Sequence, residues 1–257
     1  MSAMTIHAHD LVSSPVGWLR ERHSLPAEVA GVVVLYALYE GSRGLAAGDP
    51  VAAVHHAQQV VSVERALHVF VESDVQHAVG VVPGLIGALG ALYLTLHLLV
   101  TGACLLWLHR RRPAAYAQAR TALVIASTFA LVGYLTFPTA PPRLAGLGIS
   151  DTISRGHVDL NHGLVSSLYN PFAAFPSVHI TYAVIVAVCV VRHARHRRAR
   201  MLGAAYPVLV LLVIVATGNH FFLDAAGGLT VALLALKLAG TTRTRSSRVR
   251  FSTLAEA

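Results

Sequence analysis

The chain has 257 residues, 55% of them hydrophobic and 12% charged, with a mean hydropathy of +0.61. A soluble domain of this length buries a core without being so apolar throughout, so the composition excludes that class and points to a polytopic membrane protein. The formal charge of +8 is carried by arginine, with Lys237 the only lysine, and in a membrane chain such a balance reports orientation rather than a nucleic-acid partner.

Residues 1–26 are polar and lack the apolar core of a cleavable signal, which predicts a cytoplasmic N-terminal segment. A spanning helix needs about 20 mostly apolar residues. Six segments come close: 27–47, 80–108, 119–137, 177–192, 203–218 and 220–239. The first carries Glu40 and Arg43 near its far end, within reach of the interface. After it, Val60–Val79 repeats apolar residues at helical spacing with charges between them. That pattern predicts an extra amphipathic helix in the first outer loop, lying in the interface, and fits a plain connecting helix equally well. Pro83 places the start of the second segment outside the core or kinks it. The last two segments almost touch, which predicts a tight turn at Gly218–Asn219. Cys104 and Cys189 sit in apolar runs and read as small buried hydrophobes, with no disulfide implied. The expected fold is all-α: one integral membrane domain over 1–257, a six-helix bundle with one interfacial helix, closed by a basic cytoplasmic tail over 240–257.

Arginines give the orientation. Sixteen of the 20 Lys and Arg residues lie before segment one, between two and three, between four and five, or at and beyond the end of six. The remaining four, Arg43, Arg65, Arg143 and Arg155, share the other side with Asp49, Glu64, Glu72, Asp74, Asp151 and Asp159. Positive charge stays inside, so both termini are expected in the cytoplasm and the loops 48–79 and 138–176 outside, in a cell membrane. The basic clusters then form a rim facing lipid headgroups.

With that orientation, residues far apart in sequence meet at the outer face. Segment three ends in Phe137-Pro138-Thr139-Ala140-Pro141-Pro142-Arg143. Segment four begins Phe175-Pro176-Ser177-Val178-His179, and segment six opens on Asn219-His220-Phe221-Phe222-Leu223-Asp224. Ser177 after Pro176 is also a plain helix start, and a lone histidine is also a packing residue. Ionisable groups within spanning helices are costly, however, and mark function. His220 and Asp224 are four apart and can pair. An aspartate on one imidazole nitrogen leaves the other as a nucleophile, a second histidine can protonate a leaving oxygen, and Arg143 supplies forked donors that suit phosphate. Two histidines and an aspartate could instead hold zinc or iron. Against that, no HExxH pattern is present, no cysteine joins the group and an arginine opposes a cation. Among the other histidines, His97 in segment two, near Tyr93, is the further candidate for lining the site, with core packing as its alternative. His55, His56, His68, His77, His157 and His162 have no decisive spacing.

At these residues the sequence resembles the type 2 phosphatidic acid phosphatase superfamily, and more closely its inositol phosphorylceramide synthase-like branch. Pro176-Ser177-Val178-His179 matches the second motif, Pro-Ser-x-His. His220 to Asp224 matches the His-x-x-x-Asp end of the third. Of the first motif, Lys-x6-Arg-Pro, only Arg143 is matched. The likeness covers 120–239, the expected catalytic core, and extends upstream through Glu64–Gln76. It implies a metal-independent membrane enzyme with no cofactor. His220 would form a phosphohistidine oriented by Asp224, His179 would act as acid, and Arg143 would bind phosphate with Ser177 and Asn219. Positive charge would come from side chains and helix N-termini. Two cations of the pattern are missing: Thr136 stands at the lysine position, and Val213 and Ile214 at a Ser-Arg pair. Asn219 and Arg155 are candidates to supply those contacts. The implied substrate is a phosphorylated lipid among membrane lipids, with water or a polyol as acceptor. A transferase using a phosphodiester donor suits the thinner charge, and a transporter or scaffold on the same fold is the non-enzymatic alternative.

Overall fold

The computed structural model describes residues 24–45, 48–152 and 170–255. All of the described regular structure is helical: α1 Leu25–Leu45, α2 Pro50–Ala66, α3 Glu72–Gly80, α4 Leu85–Arg111, α5 Pro113–Thr136, α6 Val178–His193, α7 Arg197–Ala216 and α8 Phe222–Ala255, with a short 3-10 turn at Pro142–Leu144. Local chemistry sets the boundaries. Pro50 and Pro113 open α2 and α5, where a missing amide costs nothing, and Asp49 accepts from the Val51 amide. Gly84, in the left-handed region, separates α4 from the turn containing Pro83, so the expected second segment starts at Leu85 rather than 80.

Among the described residues, four helices are long and apolar enough to cross a membrane: α4, α5, α7 and the Phe222–Gly240 part of α8. Between 28% and 39% of their most apolar windows is buried, so most of that apolar surface faces outward, as lipid-facing helices require. α1 up to Tyr39, and α6, are apolar but shorter.

The bundle closes on small residues. Ala115, Ala119, Ala122, Ala126 and Ala130 repeat at three- and four-residue spacing down α5 and are all buried, as are Ala225, Ala232, Ala235 and Ala239 of α8, with which α5 pairs extensively. Small side chains let two backbones approach where the hydrophobic effect between lipid-bathed helices is weak. At Gly228 of α8, a Cβ would collide with the Ser177 carbonyl oxygen at the head of α6. α1 is held to α5 by a buried trio in which Arg120 and the Tyr116 hydroxyl both bond Glu28 Oε2.

One expectation is corrected. Instead of one amphipathic helix over Val60–Val79, the chain forms α2 and α3 with a break at Leu67–Val71, where His68 adopts a φ of 57°. The cause is long-range: Glu64 and Glu72 on either side of the break are fully buried and bond amides at the start of α8. A straight helix directs residues eight apart toward different angles; the bend brings both carboxyls to one target.

Candidate active site

Three chain segments build the site. The stretch after α5 pairs briefly with the approach to α6: the Thr139 amide donates to Phe172 O (2.7 Å) and the Ala174 amide to Thr139 O (3.2 Å). α6 starts at Ser177, whose Oγ accepts from the Ile180 amide, while the Ser177 amide donates to Asp224 O on α8 (3.0 Å). Between α7 and α8 the chain turns at Gly218, φ 69°, where a Cβ would meet Ile149 Cγ2 at 2.9 Å; only glycine is comfortable there. The Gly218 carbonyl in turn accepts the Arg143 amide (3.0 Å).

These turns bring the histidines together. The rings of His179 and His220 lie 5.4 Å apart, centroid to centroid, at 63°. His97 of α4 stands edge-on to His179 at 4.4 Å, and Tyr93 stacks with the same ring at 4.5 Å. His220 Nδ1 is 3.3 Å from Asp224 Oδ2, which also accepts the Phe221 amide at 2.9 Å. An aspartate is a pure acceptor when ionised, so Nδ1 carries the hydrogen and the Nε2 lone pair is left for chemistry. His220 and Asp224 are both buried, and His220 and His179 line one small cavity of about 40 Å³ together with Tyr93, His97, Asn170 and Asn219.

Arg143 is buried at 8% exposure and already engaged: Nε donates to Asn219 Oδ1 (3.0 Å) and Nη1 to Asp151 Oδ2 (2.9 Å). The Asn219 amide nitrogen donates to Thr217 O and Oγ1 (3.2 and 2.9 Å), so both ends of that side chain hold the loop and the guanidinium. Gln76 of α3 fastens the same corner, donating to Ser150 O and Ala216 O and accepting the Ser150 amide. Thr136 is exposed and bonded to its own helix, while Val213 and Ile214 are in the core; none of the three adds a cation.

Arg143, Ser177, His179, Asn219, His220, Asp224 and His97 therefore meet at one end of the bundle, whereas Arg155 lies outside the described residues. No group of three or more His, Cys, Asp or Glu among the described residues is arranged to hold a metal ion. Sequence reasoning missed Asn170. Its Oδ1 accepts the Phe172 amide (2.8 Å), which fixes the flip, and its buried Nδ2 has no partner among the described residues, in a residue that lines the cavity. It missed Asp151 as the partner of Arg143, and Glu64 and Glu72 as acceptors for the first α8 amides. Those amides are consequently occupied, and the N-terminus of α8 does not offer them to a ligand. Nothing local set the glutamates apart from the other charges of that repeat or named their partner.

Residues 58–238 match the family model described as the PAP2 superfamily. No curated protein and no solved structure matches the chain at a significant level.

Proposed function

The chain belongs to the PAP2 superfamily, whose members are generally phosphatase-type enzymes, and on that premise we propose that it moves the phosphoryl group or phospho-headgroup of a membrane lipid through a phosphohistidine on His220. The observation that carries this reading is the His220–Asp224 pair: Nδ1 is committed to the carboxylate, and Nε2 is left to a cavity shared with His179. The His220 Nε2 lone pair attacks phosphorus as the bond to the leaving oxygen breaks, and protonated His179 gives that oxygen its proton. An acceptor, water or the hydroxyl of a polyol, then returns a proton to His179 while its oxygen attacks phosphorus and the P–N bond breaks. Arg143 meets the phosphate oxygens, with Asn219 aiming it, Ser177 fixing the head of α6, and Asn170 adding a neutral donor. His97 and Tyr93 hold the His179 ring. Neither metal nor cofactor is required by these steps.

Two observations favour a lipid donor bearing a single negative charge, as in the inositol phosphorylceramide synthase-like branch. Arg143 is the cation at the centre of the described site, and Asp151 already offsets part of its charge. Beside the site, an apolar cavity of about 510 Å³ runs between α1, α4 and α5, and Tyr36, Tyr39 and Tyr182 line both spaces, which gives a hydrocarbon tail a place next to the histidines. In the proposed membrane arrangement α1 and α6 join the four long helices as spans in a single domain. α2 and α3 then lie at the outer interface, both termini are cytoplasmic, and the site is extracytoplasmic.

The test is turnover of a panel of lipid phosphomonoesters and phosphodiesters by purified protein, with and without inositol. Free phosphate would identify water as acceptor, and a new headgroup-bearing lipid would identify the polyol. His220→Ala should lose at least about a thousandfold in kcat. Undiminished turnover by that variant would refute the phosphohistidine, and a wild type inactive on the whole panel would favour a transporter or scaffold.

A further inference from the structure

Glu64 of α2 and Glu72 of α3 are both fully buried, and the steps above make no use of them. Glu64 Oε1 accepts the Leu223 amide at 2.6 Å, and Glu72 Oε1 accepts the Phe222 amide at 3.2 Å. With Asp224 Oδ2 on the Phe221 amide, three consecutive amides at the head of α8 are held by three carboxyl groups. The second oxygen of each glutamate, Oε2, is buried and has no donor among the described residues. Two ionised carboxylates in that position would face each other desolvated and unpaired, which is strongly unfavourable. One proton held between the two Oε2 atoms, with Glu64 as donor and Glu72 as acceptor, satisfies both.

The surroundings agree. Burial, and then the hydrogen bond with Glu72, push the Glu64 carboxyl from 4.5 up to about 9; the Leu223 amide acts in the opposite sense, and the charges of Glu72 and Asp224 add to the rise. The titratable groups that face it are thus acidic. Arg65, the next residue on α2, lies over the Phe70 ring instead, and Arg143 on the neighbouring segment is held by Asn219 and Asp151. His220, on the same turn as the three amides, is directed to Asp224.

We propose that Glu64 and Glu72 act as one proton-sharing carboxyl pair that clamps the start of α8 and so sets the His220–Asp224 pair, which makes them positioning residues for the proposed phosphotransfer. The inference rests on that reading of His220. While the clamp holds, Asp224 Oδ2 keeps both the Phe221 amide and His220 Nδ1, and Nε2 stays on the cavity. When the proton leaves, two buried negative charges repel, the turn loosens and the nucleophile is misaligned. Turnover therefore falls on the alkaline side, as pH passes about 9. Stability follows the same group. The folded carboxyl keeps its proton to about 9 and the unfolded one loses it near 4.5, so its contribution to stability is full below about 4.5 and is lost progressively up to about 9.

Two measurements on the full-length protein in vesicles test this. Infrared difference spectroscopy should show the carbonyl band of a protonated carboxyl at neutral pH that vanishes as pH passes about 9 and is missing from Glu64→Gln. In assays on vesicles containing phosphatidic acid or phosphatidylinositol, Glu64→Ala should lower kcat about tenfold to a hundredfold with little change in KM. Glu64→Gln, whose amide can donate to Glu72 as the acid does, should recover most of that loss and carry its activity to higher pH. A neutral-pH spectrum without the band overturns the shared proton whatever the turnover. A Glu64→Gln profile with the wild-type alkaline fall overturns the positioning role. The band together with a wild type inactive on every lipid supports the pair but overturns its catalytic purpose along with the phosphotransfer reading.

Discussion

Single side chains at this site divide into those that face the cavity and those that hold the first group in place. Asn170 belongs to the first. Its carbonyl oxygen is taken by the Phe172 amide, so its amide hydrogens are what it offers to a ligand. A hydrogen bond to a charged group contributes about 1.5–3 kcal/mol, and 1.4 kcal/mol is about tenfold in affinity. Asn170→Ala is expected to raise KM for the lipid phosphate by about tenfold or more. Asn170→Asp keeps the acceptor for Phe172 but turns an anion toward the phosphate, so it should raise KM further with thermal stability near wild type. An Asp variant that binds as tightly as wild type would remove Asn170 from the phosphate site. The histidines, Asp224 and Arg143 were legible in the sequence because ionisable groups stand out against apolar helices. Asn170 was not, because an asparagine before a proline reads as an ordinary turn, and its value lies in one buried nitrogen that only the fold leaves unpartnered.

At the scale of helices, the apolar runs located α4 to α8 well, and the contact surfaces were visible only as an excess of alanine. What the runs could not show was how closely α6 and α8 approach. The Thr181 hydroxyl bonds both Ser177 O and Gly228 O (2.8 and 3.0 Å), so the two helices are fastened close to where the candidate catalytic residues leave them. Gly228→Ala would press a methyl group against the Ser177 carbonyl, an overpacking that costs about 1–3 kcal/mol. The expected result is a lower unfolding temperature together with reduced kcat, since His179 on α6 would move away from His220. A variant with wild-type stability and activity would mean that the helices have slack there. The break between α2 and α3 was illegible for a related reason. Periodicity reports which face of a helix is apolar, and it placed Glu64 and Glu72 among solvated charges. Their burial depends on amides 150 and 159 residues away.

Across the whole molecule, length and charge together carry the proposed position of the site in the membrane. At 1.5 Å per residue, the 16 residues of α6 extend about 24 Å, short of a hydrocarbon core about 30 Å thick. If Arg192, Arg195, Arg197 and Arg198 sit at the cytoplasmic headgroups, as in the proposed arrangement, the other end of α6 stops about 6 Å below the opposite edge of the core. His179 is then recessed from the outer surface, and the turns at 138–150, 170–177 and 217–221, with α2 and α3, fill the remaining depth. Under the proposed function, a lipid phosphate would have only to dip slightly to reach His220 while its tails stayed among α1, α4 and α5. The arrangement depends on the orientation given by the arginines, and site-directed labelling tests it. In a background with both buried native cysteines, Cys104 and Cys189, replaced, Asp74→Cys, an exposed position on α3, should react with a membrane-impermeant maleimide in intact cells. Arg198→Cys, between α6 and the body of α7, should react only after permeabilisation. The reverse pattern would place the histidines at the cytoplasmic leaflet and restrict the enzyme to lipids made and presented on that side.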